Sequence, residues 1–202
     1  MLIVAGLTAS AAKADLLFVG SQAGICCFDV DLQQVSSTDV LVTATLTNGA
    51  QWFVDSGSTQ HPGFGFNITG DPAITISNIS SPWTSSDVHI ASVVTNGPSL
   101  GTFNYFINNP GPGSSAKNDG PLSFDVILGS GVSITDFVAN ADGYYFVADI
   151  ANAAGATGLS GISADPTTTT SPVPEPASIF LFGTAGFGVM ALLRKRLANG
   201  GK

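Results

Sequence analysis

The chain is short of basic residues, of glutamate, of histidine and of cysteine. Its 202 residues hold six lysines and arginines, one glutamate (Glu175), two histidines and two cysteines. Each shortage excludes something. Between residues 15 and 170, thirteen aspartates face a single lysine, Lys117, which leaves that stretch a net charge of −12. An acidic surface repels phosphate backbones, so nucleic acid is not expected as a partner. Without a glutamate in the stretch no H-E-x-x-H metal site can form. The nucleophile elbow G-x-S-x-G is missing too, because Gly158-Leu159-Ser160-Gly161 lacks the register. His61, before Pro62 in a glycine-rich turn, reads as a solvated loop residue, and His89, between Val88 and Ile90, as an outward-facing strand residue. Two histidines without a close partner make a poor transition-metal site. No enzyme is expected. A hydrolase that pairs two of the aspartates is the third-ranked reading, since carboxylate pairs are recognised by geometry.

What the chain does have is apolar: 44% hydrophobic residues, with thirteen phenylalanines. Disordered chains are poor in such residues, and about 150 residues can build one good core. The pattern is period two. Val40, Val42, Ala44 and Leu46 fall on one face of residues 40–47, with mostly threonine on the other. Residues 25–30, 64–68, 74–77, 88–94, 103–107, 122–126, 134–139 and 144–150 are further strand candidates, with turn signals such as Asn48-Gly49 and Asp142-Gly143 between them. No stretch before residue 177 keeps a helical period. The expected fold over residues 15–163 is therefore all-β, an antiparallel sandwich or jelly roll.

Residues 108–113 ("NNPGPG") read as an exposed loop, and residues 164–172 as a Thr/Ser/Pro stalk. Residues 167–171 are either O-glycan acceptors or a plain linker. No cofactor is expected. Calcium is the ion for which the chain offers hard oxygens, at Asp29-x-Asp31 and Asn118-Asp119, without EF-hand spacing. Trp52, Trp83, Tyr105, Tyr144 and Tyr145 stack on sugar rings if a face exposes them, though core positions are the default for such residues. For Cys26 and Cys27, adjacent strand residues point to opposite faces, so one buried and one exposed free thiol ranks first. An intermolecular bridge ranks second and a vicinal ring third.

Both ends differ from the middle. Residues 2–12 ("LIVAGLTASAA") are apolar and small and lead into Ala12-Lys13-Ala14, an A-x-A cleavage pattern. The positive n-region that usually precedes such a segment is missing, and a start placed further upstream would supply it. At the other end residues 177–193 carry no charge, about 26 Å of helix at 1.5 Å per residue, within spanning range. Gly183, Gly186 and Gly188 suit a membrane helix better than a soluble one. Arg194-Lys195-Arg196 then reads as a stop-transfer cluster that holds the C-terminus in the cytoplasm and the acidic stretch outside.

Pro174-Glu175-Pro176, the apolar helix and Arg194-Lys195-Arg196, in that order, resemble the PEP-CTERM sorting signal of exported proteins in exopolysaccharide-producing Gram-negative bacteria. The resemblance implies recognition by an exosortase, a membrane-embedded transpeptidase-like enzyme, and removal of the tail. The phrases "GFGFNITG" and "FVANADGYYFVADI" also resemble ones found in ectodomains that carry this tail. The expected order is a signal peptide (1–14), a β-sandwich (15–163), the stalk (164–172) and the sorting signal (173–202), with motif 174–176, helix 177–193 and basic stop 194–196. The protein would cross the inner membrane, pause there on one span, and end at the cell surface or in a biofilm matrix. A structural or adhesive role in exopolysaccharide is expected, with a carbohydrate-binding module as the alternative.

Overall fold

The structure, a computed structural model, describes residues 15–19, 27–49, 51–56, 63–94, 100–111, 113–163 and 165–169. Period-two alternation becomes strand wherever one face can be buried. In β2 (Phe28–Ser36) and β3 (Asp39–Leu46), Phe28, Val30, Leu32, Val40, Val42 and Ala44 are fully buried, while the residues between them stay half-buried or exposed. The two strands form a hairpin that pairs Phe28 with Leu46 and Leu32 with Val42, with a bulge between Gln34 and Ser36 at the turn. A one-residue slip would turn every apolar side chain to water, so the burial pins this register.

β1 (Asp15–Phe18) pairs with β2, and β10 (Leu122–Ile127) pairs with β3. With β6 (Thr75–Ser77) and β13 (Thr167–Thr169) at its edges, the first sheet runs β13-β1-β2-β3-β10-β6. The second is built on β11 (Phe146–Asn152). One edge of β11 carries β12 (Thr157–Ile162); the other carries β5 (Phe64–Phe66) and β4 (Gln51–Asp55). β8 (Thr102–Ile107) and β7 (Val88–Val94) extend the sheet from β5, and β9 (Gly113–Asn118) extends it from β4. Every one of these pairings is antiparallel.

The two sheets face each other across one core, to which the first gives Phe28, Val42 and Phe124 and the second Phe53, Phe64 and Phe146. Phe66 stacks on Phe124 at 5.7 Å and on Tyr105 at 5.4 Å, and Phe64 stacks on Phe146 at 5.9 Å. Each such ring contributes about 1.5–3 kcal/mol by leaving water. Leu100, Phe103 and Val147 form a second, smaller cluster with Tyr144 and Leu159. β11 is consequently buried from Phe146 to Ala151 without alternation.

The all-β, antiparallel reading holds among the described residues. One strand candidate does not: in residues 134–139, Ile134–Asp136 is a turn of 3-10 helix and Phe137 makes an isolated bridge to Ile68. The local reason is a capping box. The Ser133 amide donates to Asp136 Oδ2 at 2.8 Å and Thr135 N–H donates to Ser133 Oγ at 3.3 Å, which closes the backbone before it can extend. Within the stretch 164–172 read from composition as stalk, Thr167–Thr169 are β13, paired with β1 as Asp15↔Thr169, Leu16↔Thr168 and Leu17↔Thr167, while residues 164 and 170–172 lie outside the described residues.

Candidate functional site

The sequence-predicted site residues fall into two groups. Ala12, Ala14, Pro174, Glu175, Pro176, Arg194, Lys195 and Arg196, with the helix 177–193 and His61, lie outside the described residues. Among the described residues no helix is long and apolar enough to cross a membrane. What the structure does describe is the strand that leads into the sorting segment. β13 ends at Thr169, five positions before Pro174 in the sequence. Thr167 Oγ1 donates to the Leu17 carbonyl of β1 at 3.3 Å. Just upstream, Tyr145 O–H donates to Asp165 Oδ1 at 3.4 Å, while the Tyr145 ring lies 5.0 Å from that of Phe18 in β1. Burial, then the Asp165 charge, push the Tyr145 hydroxyl above its ordinary range.

The outer face of the first sheet is acidic. Asp29 and Asp31 of β2 alternate along one face, Asp15 of β1 lies across from Gln33, and Asp125 of β10 lies across from Leu41. Burial, with Asp15 nearby, raises the Asp31 carboxyl above the usual range; burial, with Asp125 nearby, does the same to Asp39. The Oδ1 atoms of Asp15 and Asp39 are shielded from water without a hydrogen-bond partner. No group of three or more His, Cys, Asp or Glu among the described residues is arranged to hold a metal ion. Of the residues considered for calcium, Asn118 gives its amide to Asn109 Oδ1 at 2.6 Å, and Asp119 is exposed.

The second sheet hides a carboxylate that composition does not reveal. Asp149 is fully buried in β11, and its Oδ2 accepts from both the N–H and the hydroxyl of Ser56, each at 2.6 Å. It lies where β4 and β5 are separated along β11: Ile150 pairs with Phe53 and Ala148 with Phe64. Its amide donates to the Gly63 carbonyl at 3.1 Å, and Gly63 touches the backbone of Asn109 so closely that a Cβ would stand 2.7 Å from that nitrogen. Asn109, expected in an exposed loop, is instead buried, with its amide on the Ala116 carbonyl at 2.6 Å. A polar side chain in "NNPGPG" had to be satisfied by the backbone of β9 once the chain turned back.

The aromatic residues divide. Trp83 and Tyr105 are core, and burial with Asp71 nearby pushes the Tyr105 hydroxyl up to about 12 while it donates to the Pro72 carbonyl at 2.6 Å. Trp52 is half-buried beneath the Lys117 ammonium, 4.1 Å from its ring centroid. Tyr144 and Tyr145 are half-buried. His89 is exposed, as its position beside Val88 and Ile90 implies, and stacks flat on Phe106 at 4.6 Å. An open depression of about 430 Å³ lies between Gln34, Val132 and Asp136. Gln34 there is fully engaged: its amide donates to the carbonyls of Val132 at 2.8 Å and Ser36 at 2.5 Å, and its oxygen accepts from Ile134 N–H at 3.0 Å.

The free-thiol reading of the cysteines is corrected. Cys27 is disulfide-bonded, and the chain's only other cysteine is Cys26, itself outside the described residues. The opposite-face argument assumed that both residues sit within a strand, but β2 begins only at Phe28. Cys27 is held ahead of it, its N–H on Gln51 Oε1 at 3.1 Å and its carbonyl accepting from Thr47 N–H at 3.1 Å.

The described part of the chain is thus antiparallel and all-β, and in the sequence its last strand precedes a Pro-Glu-Pro segment. Residues 172–196 match the family model of the PEP-CTERM protein-sorting motif. The chain carries that motif, which implies an exported protein sorted to the cell surface by an exosortase. No curated protein and no solved structure matches it.

Proposed function

We propose that this is a surface or extracellular-matrix protein that pauses in the inner membrane on its C-terminal segment, is released by an exosortase-type enzyme, and serves a structural or adhesive role in exopolysaccharide or biofilm. The observation that carries the reading is the sorting motif at residues 172–196. The ordered parts of the motif have separate physical tasks. Two prolines, which lack amide donors, favour an extended backbone over helix at Pro174-Glu175-Pro176. The uncharged run 177–193 and Arg194-Lys195-Arg196 give insertion and orientation. A permanent anchor needs only the last two, so the tripeptide points to a reader.

A non-catalytic domain is supported by what its polar groups do. Asp149, Gln34 and Asn109 are all engaged in holding strands and loops together. The acidic outer face suits a hydrated matrix, where like-charged protein stays soluble. The carbohydrate-binding alternative loses Trp83 and Tyr105, which lie in the core.

Replacing Pro174, Glu175 and Pro176 together with alanine tests the sorting half. Hydrophobicity and the basic flank are unchanged, so the variant should insert normally, stay full-length and remain in the inner membrane while the wild type is shortened and exported. Wild type that stays full-length with and without the host's exosortase would make the tail a plain anchor. The matrix half is tested by fractionation: the released protein should cofractionate with exopolysaccharide and become freely soluble in a strain that makes none.

A further inference from the structure

We infer that the β1–β13 ladder controls when the sorting signal can be processed: while Thr167–Thr169 is paired to β1, the chain just before the motif is held in the sheet and withheld from a processing enzyme. The inference rests on the sorting reading above and adds to it a regulation by the fold. Only residues 170–173 separate the last paired residue from Pro174. Fully extended, the span from Thr169 to Pro174 is at most about 18 Å at 3.3–3.6 Å per residue.

An enzyme that cuts within an extended peptide closes a groove around several residues on each side of the bond, taking up backbone N–H and C=O groups along both edges of the peptide. On the N-terminal side of this motif the β1–β13 ladder begins at Thr169, five positions ahead of Pro174 in the sequence. There the three residues of β13 have β1 along one edge, and backbone groups already bonded in one ladder cannot enter another. The ladder is also anchored from both directions. Thr167 Oγ1 holds the Leu17 carbonyl at 3.3 Å, and Tyr145 ties Asp165 to the Phe18 end of β1 through a 3.4 Å hydrogen bond and a 5.0 Å ring contact.

β13 is nonetheless the piece of this domain best suited to come away. It is three residues long and, among the described residues, lies at the sheet edge and pairs with β1 alone. Short edge strands are the low-stability end of a fold. Processing therefore acts on chains whose β13 has peeled off or has not yet paired. Access, and not the bond-breaking step, is what the ladder governs.

The test uses the full chain in a host with its exosortase. Leu17 and Thr167 lie directly opposite, and either type of antiparallel pair places their Cα atoms within disulfide range. Leu17→Cys with Thr167→Cys should cross-link the strands on export, with mass mapping of the linked peptides to separate this bond from that of Cys27. We expect the cross-linked chain to be processed at least tenfold more slowly than wild type and than either single variant. Inserting ten Gly/Ser residues between Thr170 and Ser171 should restore processing to the cross-linked chain, because the motif then reaches the enzyme while β13 stays paired. The same insertion in the wild-type background should speed processing. Cross-linked chain processed at the wild-type rate, or not restored by the insertion, would overturn the inference and leave the sorting reading intact. Failure of the uncross-linked wild type to be processed in any strain would instead remove the sorting reading itself.

Discussion

Asp149 and Ser56, 93 residues apart in sequence, meet in the second sheet through two 2.6 Å hydrogen bonds to one carboxylate oxygen. The contact ties the end of β4 to the middle of β11 at the place where the pairing of β11 passes from β4 to β5.

A buried carboxylate with two such donors makes the pair one of the costlier contacts to break. Asp149→Ala should destabilise the chain by about 4 kcal/mol, and Ser56→Ala, which keeps the N–H bond, by about 2 kcal/mol. In urea titrations the double variant should lose little more than Asp149→Ala alone, since Ser56 acts through the carboxylate. Additive losses would mean that the hydroxyl serves some other contact.

Asp31 and Asp39 make stability fall as the pH rises. Burial first, and then Asp15 or Asp125, hold both carboxyls above their ordinary value of 3.8. A carboxyl raised in the folded state favours folding when protonated, so its contribution is whole below about pH 3.8 and is lost as the pH climbs through the raised folded value. Asp31→Asn and Asp39→Asn, neutral at every pH, should melt higher than wild type at pH 7 and show no advantage at about pH 3. Thermal melts at the two pH values decide it; an equal shift at both would assign the effect to something other than ionisation.

Gln34 connects the β2–β3 hairpin to the segment after β10 through bonds to Val132 and Ile134, about a hundred residues away in sequence. Gln34→Ala leaves the Ile134 amide without its acceptor and should cost about 1–3 kcal/mol. Hydrogen exchange should show the loss of protection concentrated at Ile134 and Leu128–Val132; a uniform loss would argue against a local staple.

Gly63 and Gly129 form a matched pair for a steric test. A Cβ on Gly63 would meet Asn109 N at 2.7 Å and Ile107 O at 2.9 Å, backbone atoms that cannot swing away, whereas nothing lies within 4 Å at Gly129. Gly63→Ala should destabilise by about 3 kcal/mol, while Gly129→Ala should stay within about 0.5 kcal/mol of wild type. Comparable midpoints in denaturant would mean that the approach of β5 to the Asn108–Asn109 turn is looser than the geometry shows.

The amino-acid sequence by itself determined the class of fold and the sorting signal. Alternation in residues 40–46 and 122–126 can be buried only as strand, and a linear motif such as 172–196 is legible in the order of its residues alone. Tertiary structure decided what depends on partners far away in the chain. Two capping hydrogen bonds outweighed alternation in residues 134–139, and a place beside β1 turned three threonines of low-complexity composition into β13. The same holds for the side chains: Trp83 and Tyr105 entered the core while Trp52 stayed near the surface, and Asp149, one of thirteen aspartates, became the buried one. Periodicity records which face of a segment is apolar, but not which strand lies beside it. That choice rests on contacts made across the whole chain, where no local pattern reports it.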